Sequence, residues 1–261
     1  WAEAERLPSD HRYAMEAAAA APADGYTVFV MSLSQAISAG VYQNLKADVV
    51  KDFSSVTLLA TTPYVLVTHP SIPAQNVQQL IAYVKANKDK VTLANAGLGA
   101  VSHLCGMMFM SAIETDLTTV PYKGTGPVLV DLIPGRLHMY INPMLAIINQ
   151  VNAGQVRLLA VTSPKRVSSL PDVPTVAEAG VPGYEATSWY MVLAPSKTPG
   201  AIINKLHAET VNALKAKDML EMLAKGGTDA VGNTPAEAMT YLKAEIARWG
   251  KVVRDAGIQA Q

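Results

Sequence analysis

The stretch PDVPTVAEAGVPGYEATSWYMVLAP, residues 171–195, decides how the chain folds. Its first half is turn-rich: Thr175 and Glu178 have the spacing of a capping box, and Gly180 stands where a short helix would end. Its second half, TSWYMVLAP, reads as an apolar strand stopped by Pro195. TTPYVLVTHP (61–70) has the same make-up, an apolar strand between prolines. No repeat or flexible linker interrupts the chain apart from the alanine-rich Ala17–Ala21. Two domains would therefore be joined by strands, and these two segments suit that role.

Outward from there, apolar runs bounded by turn residues predict strands at Tyr26–Met31, Val56–Ala60, Tyr64–Val67, Val91–Ala94, Leu137–Ile141, Val156–Val161 and Tyr190–Leu193. Helical patterns lie between them. Val77, Leu80, Ile81 and Val84 share a face behind Asn76, with Gln79 at N3; Met239, Leu242, Ile246, Trp249 and Val253 keep a 3,4 spacing behind Thr234, Pro235 and Glu237. Thr198 with Pro199 starts a further helix bearing Ile202, Ile203, Leu206 and Leu214. Strand and helix alternate, the pattern of an α/β protein with largely parallel sheets.

The chain has 261 residues, 50% apolar and 16% charged, enough for one large core or two modest ones. No apolar run reaches the roughly 20 residues of a membrane span, so no direct insertion is expected. Lys plus Arg and Asp plus Glu both number 21, which leaves no net field to draw nucleic acid. An anionic ligand would have to be held by local groups. Cys105 is the only cysteine, which forbids an intrachain disulfide and leaves the compartment open.

Motifs for chemistry are missing. His11, His69, His103, His138 and His207 are scattered without metal-ligand spacing, Gly227–Thr234 has Asn233 where a phosphate-binding loop needs Lys, and no Gly-x-Ser-x-Gly or Ser-x-x-Lys occurs. Neither catalysis, a metal nor a cofactor is expected. What remains are polar groups at strand ends. Gly97, Gly99, Ala100, Ser102 and His103 lie between a strand and an apolar helix. Glycines there let backbone N–H groups approach an anion at a helix start; equally, the segment reads as a tight turn with a Ser cap. Ser32, Ser34 and Gln35 follow a strand and are either ligand groups or helix caps. Asn142 ends HMYIN, and Ser188 and Trp189 offer a hydroxyl and an aromatic wall, or a buried structural Trp. Tyr122 ranks above Lys123 in VPYKGTG, since a Lys beside a turn is more often solvated.

LANAGLGAVSHL (93–104), VPYKGTGPVLVDLIPGRL (120–137) and the opening stretch resemble the solute-binding proteins of tripartite tricarboxylate transporters, the Bug family. DGYTVFVMS (24–32), VKDFSSVTLLATTPYVLVTHPSIP (50–73), LLAVTSPKR (158–166) and EIARWGKVVRDAGI (245–258) extend the resemblance in the family's order. It implies a two-lobed periplasmic binding protein type II-like fold with two crossover strands and an interlobe cleft. The lobes fall at 1–67 with 191–261, and at 68–190. It further implies periplasmic capture of a dicarboxylate, tricarboxylate or aromatic carboxylate, delivery to the membrane components of a transporter, and a monomer. The 97–103 loop, Tyr122, Asn142 and the Ser188–Trp189 pair would face the cleft. Many relatives have Asp where Asn142 stands, and the uncharged amide argues against an α-amino acid ligand. An effector-sensing regulator domain shares the architecture, but no basic helix-turn-helix segment supports it. The family's initial strand and PFPPGG-type loop have no counterpart in WAEAERLPSDHRY, so either the sequence is truncated or the first lobe lacks one wall of its site; weaker binding than in a complete relative is expected unless Ser32, Ser34 and Gln35 compensate.

Overall fold

A computed structural model describes residues 11–41, 46–97, 99–167 and 169–255. The opening of the expected first lobe, residues 1–10, and the end of its tail, 256–261, lie outside the described residues. In chain order the elements are α1 (His11–Ala19), β1 (Phe29–Ser32), α2 (Leu33–Val41), β2 (Phe53–Thr68), α3 (Val77–Ala86), β3 (Thr92–Asn95), α4 (Val101–Ala112), β4 (Thr118–Pro121), α5 (Thr125–Leu132), β5 (Met139–Pro143), α6 (Ile148–Asn152), β6 (Arg157–Val161), β7 (Thr187–Pro195), α7 (Gly200–Leu214), α8 (Lys217–Lys225), β8 (Asp229–Ala230) and α9 (Pro235–Asp255).

Contacts gather these elements into two units. One takes the described residues up to Thr61, Trp189–Met222 and those from Ala230 onward; the other takes Thr62–Ser188 and Leu223–Asp229. The chain passes between them within β2 and within β7. The change-overs fall at 61/62 and 188/189 rather than at 67/68 and 190/191, and 223–229 belongs to the second unit rather than the first. Thr228 explains the last difference, since its hydroxyl lies 2.8 Å from that of Thr62. A side chain at Gly226 or Gly227 would collide with Leu145 or Met144, so this turn fits closely against the second unit.

β2 runs unbroken through Pro63, fusing the two strands expected at Val56–Ala60 and Tyr64–Val67. Its ladders with β5 and β6 start at Tyr64 and Val65, so the N–H that Pro63 lacks is not needed there. In the second unit β3 runs parallel to β4 and to β5, while β5 and β6 both pair antiparallel with β2. The sheet is thus mixed, not largely parallel. Alternation in sequence does not say which strands become neighbours, and β2 pairs with two that follow it only distantly. Val65, Val67, Ala94, Val128, Leu132, Tyr140 and Val161 form its core.

In the first unit β1 pairs antiparallel with β7, Met31 opposite Met191. Val56, Val192, Ala194 and Ile203 cluster there, and α2 packs on α9. The caps at Asn76 and Thr234 form as the sequence predicts: Asn76 Oδ1 accepts the Gln79 N–H at 2.9 Å, and Thr234 and Glu237 exchange reciprocal bonds of 2.9 and 3.3 Å. Thr175 and Glu178 also exchange their capping-box bonds, at 3.1 and 3.0 Å, but only a single turn follows, ending at Gly180 with φ 107°. The stretch up to Pro182 is too short to propagate a helix. No helix among the described residues is long and apolar enough to cross a membrane.

Candidate functional site

The second unit gathers most of the expected residues at one end of its parallel strands. β3 ends at Asn95, and the chain turns through Gly97 (φ 136°) and Gly99 (φ 77°) into α4. Both glycines are required, because L side chains are strained at these angles. At Gly97 an added Cβ would also press within 3.3 Å of the Tyr122 carbonyl. The loop is tied by its own polar groups. Asn95 Oδ1 accepts the Gly97 N–H at 3.0 Å, Ser102 Oγ accepts the Ala96 N–H at 2.9 Å, His103 Nδ1 accepts the Gly99 N–H at 3.2 Å, and the Gly97 carbonyl accepts the Ala100 N–H at 3.1 Å. The donors of Gly97 and Gly99, expected to meet an anion, therefore serve the loop itself. Helix geometry leaves Val101 and Ser102, at N1 and N2, as the outward backbone donors. Beside them Asn95 is buried with its Nδ2 unpartnered.

His103 is buried, and burial lowers its pKa below the ordinary 6.5, so the ring is neutral at pH 7. Because Nδ1 accepts from Gly99, the proton sits on Nε2.

Tyr122 reaches the loop through its backbone, donating its N–H to the Asn95 carbonyl at 2.9 Å. Its hydroxyl turns to Asp131 at 2.7 Å, and Asp131 also pairs with Arg136 at 2.8 Å. The bond to Asp131 pushes the Tyr122 phenol up, while Tyr122 and then Arg136 hold the Asp131 carboxyl low. The phenolic proton of Tyr122, the residue ranked above Lys123, thus belongs to this triad. Asn142 lies fully buried on β5 opposite Val65, its Oδ1 accepting from Thr125 Oγ1 at 3.1 Å. Thr125 Oγ1 is also 3.1 Å from the Tyr140 hydroxyl. Burial raises the Tyr140 pKa and outweighs the opposing effect of the neighbouring hydroxyls, so the phenol keeps its proton. Asn142, Thr125 and Tyr140 are therefore brought together.

In the first unit Ser32 and Gln35 close a cap. Gln35 Oε1 accepts from Ser32 N at 2.9 Å and from Ser32 Oγ at 2.6 Å, at the point where β1 passes straight into α2. Both side chains are engaged with each other, as the capping reading of Ser32 and Gln35 expects; Ser34 also has an interaction partner. Ser188 is half-buried at the end of the second unit's Thr62–Ser188 segment. Trp189 is fully buried in the first, where its Nε1–H donates to Glu245 Oε2 at 2.9 Å and its ring meets Tyr241 edge-on at 5.9 Å. Trp249 donates to the same oxygen at 3.0 Å, and Arg248 holds Oε1 at 3.1 Å. Trp189 is thus a structural anchor rather than a ligand wall.

Sequence reasoning missed Asn95, Thr125, Tyr140 and Glu245. Signals existed: an Asn before Gly-x-Gly, a hydroxyl directly after Gly124, a phenol in an otherwise apolar strand, and an acid on the apolar stripe of α9, one turn before Trp249. No group of three or more His, Cys, Asp or Glu among the described residues could hold a metal.

Residues 6–258 match the model of the tripartite tricarboxylate transporter family receptor. Protein BugT of Bordetella pertussis is 34% identical over 244 residues, covering 93% of this chain and 75% of its own. Among solved structures, R. palustris Rpa4515 with adipate superposes with a TM-score of 0.82 at 36% identity, covering 97% of this chain and 85% of its own. MatC from Rhodopseudomonas palustris with bound malate gives 0.77 at 29% identity, covering 95% and 85%. With the family model and these relatives in agreement, the chain belongs to the tripartite tricarboxylate transporter receptors, a family of binding proteins and not of enzymes.

Proposed function

We propose that this chain is a periplasmic receptor that captures a small dicarboxylate and delivers it, as a monomer, to the membrane components of a tripartite transporter. The observation that supports this most is the start of α4: N1 and N2 backbone donors beside the unpartnered Asn95 amide form an acceptor-seeking site that needs no cation. In this reading Val101, Ser102 and Asn95 hold one carboxylate, and Gly97, Gly99, Ala100 and His103 shape the loop that presents them. In the same reading Ser188 adds a hydroxyl contact. Two solved relatives hold adipate and malate, each a small dicarboxylate. Asn142 adds no charge, so an α-amino group would find no counter-ion from it.

Thermal shift and calorimetry with adipate, malate, citrate and benzoate test the proposal. A ligand that binds only the folded chain raises its melting temperature. A shift with adipate or malate is expected; no shift with any of the four would overturn the carboxylate reading. Fractionation of cells expressing the complete gene product tests the compartment, with recovery in the periplasmic fraction expected.

A further inference from the structure

We infer that the turn at 181–186 is a strut that carries the ordering of α4 on ligand capture to β2 and β7, the strands in which the segment Thr62–Ser188 begins and ends. Tyr184 grips one end of this path and Thr162 the other. The transmission part of the inference rests on the carboxylate reading above; the strut itself does not. The turn is stiff by its sequence. Pro182 and Gly183 fill the central positions of a β-turn that the Tyr184 N–H closes onto the Val181 carbonyl at 3.1 Å, and Gly183 takes the positive φ, 77°, that a type II turn demands there. Val181 is itself held, donating its N–H to the Val176 carbonyl at 3.1 Å, while Val176 donates to the Val161 carbonyl at 2.8 Å.

At the helix end Tyr184 is buried, its hydroxyl donating to the Cys105 carbonyl at 2.9 Å and its ring meeting Phe109 edge-on at 6.0 Å. Cys105 and Phe109 are four residues apart, so one side chain touches two successive turns on the same face of α4. Two residues further on, Ala186 donates its N–H to the Thr162 carbonyl at 2.9 Å. Thr162 Oγ1, with a single proton to give, lies 2.5 Å from the Ala186 carbonyl and 2.9 Å from the Tyr64 carbonyl on β2. The Thr162 N–H donates to that same Tyr64 oxygen at 2.9 Å. Every polar group of Thr162 is thus spent either on β2 or on the residue that precedes β7. Thr162 and Ala186 are fully buried, so these bonds are shielded from water. The path from α4 through Tyr184, Ala186 and Thr162 to Tyr64 is therefore continuous, and a helix made less mobile by a ligand can quieten its neighbours along it without any displacement.

Tyr184→Phe removes the hydroxyl and keeps a ring beside Phe109. Hydrogen exchange on the unliganded variant should quicken about tenfold at Phe109 and Ala186, with the β3 and β5 amides unchanged. In the unsubstituted protein, saturating adipate or malate should slow exchange about tenfold at Leu104, Ala186 and Thr162. In Tyr184→Phe the slowing should persist at Leu104 and be lost at the other two. Thr162→Val cuts the far end and serves if Tyr184→Phe does not fold; the slowing should then reach Tyr184 and stop short of residue 162. Unchanged exchange at Ala186 in unliganded Tyr184→Phe, or uniform acceleration through the second unit, would overturn the strut. Full slowing at Ala186 and Thr162 in liganded Tyr184→Phe, or slowing confined to α4 in the unsubstituted protein, would overturn the transmission. Should the unsubstituted protein bind neither acid while unliganded Tyr184→Phe still quickens both ends, the carboxylate reading and the transmission fail and the strut stands.

Discussion

The two strand-to-helix junctions, β1 into α2 and β3 into α4, carry similar polar residues and do different work. At the first, no residue separates strand from helix, and Ser32 and Gln35 satisfy each other. At the second, five residues intervene, two of them glycines at positive φ, and the loop consumes four of its own donors yet leaves the helix start and Asn95 Nδ2 unmatched. A Ser and an amide at the end of a strand thus signify a ligand site only when nothing nearby completes them. The second junction accepts an unpaired buried donor, which ordinarily costs about 1–3 kcal/mol and persists where something else compensates.

Substitutions in the first unit should therefore alter stability alone. The largest effect is expected at Glu245, whose Oε2 takes two buried indole N–H groups. Glu245→Ala orphans both, at about 1–3 kcal/mol each, and denaturant unfolding should show a loss of that combined size. Glu245→Gln, which keeps one acceptor, should be milder. Adipate affinity measured on the folded fraction should not change in either; a parallel loss of affinity would break the contrast between the units. Next in size is Gly97→Ala in the second unit. Strain at φ 136° and pressure on the Tyr122 carbonyl should cost about 1–3 kcal/mol, read chiefly as weaker adipate binding by calorimetry. Ser32→Ala should be smaller, about 1 kcal/mol of stability for a lost cap, with affinity intact. Weakened binding in Ser32→Ala would restore Ser32 to the ligand site.

Much of the fold is legible locally. Asn76, Thr234 and Glu237 cap helices because their bonds span three residues, and the β7 strand shows itself as an unbroken apolar run before Pro195. What sequence reading misses is long-range. Pro63 looks like a strand end because a proline lacks a donor, yet the ladders beside it begin one residue later. Trp189 looks like a cleft aromatic because the acid that receives its N–H lies 56 residues away. The candidate loop was legible as glycine-rich, but which of its N–H groups stay free depends on Asn95, Ser102 and His103 folding back onto it. Tyr140 was hidden for a related reason, since the hydroxyl beside its own, that of Thr125, comes from α5.

The smallest expected effect follows from His103. Burial holds its pKa below the ordinary 6.5, so the folded chain binds this proton less readily than the unfolded one. The stabilisation is therefore complete above 6.5 and is lost as pH falls through the lower folded value. The added proton must go onto Nδ1, since Nε2 already holds one, and Nδ1 is the acceptor of the Gly99 N–H. Acid thus releases the loop at Gly99 while leaving the Ser32–Gln35 cap, which has no titrating group, untouched. Nuclear magnetic resonance should show the Gly99 amide following the His103 ring through its titration, with the Ser32 amide flat. Stability should fall by about 1 kcal/mol over that interval beyond what His103→Ala shows. A Gly99 amide that does not respond to the titration would mean that the imidazole does not hold the loop, and the second junction would then owe its shape to the glycines, Asn95 and Ser102 alone.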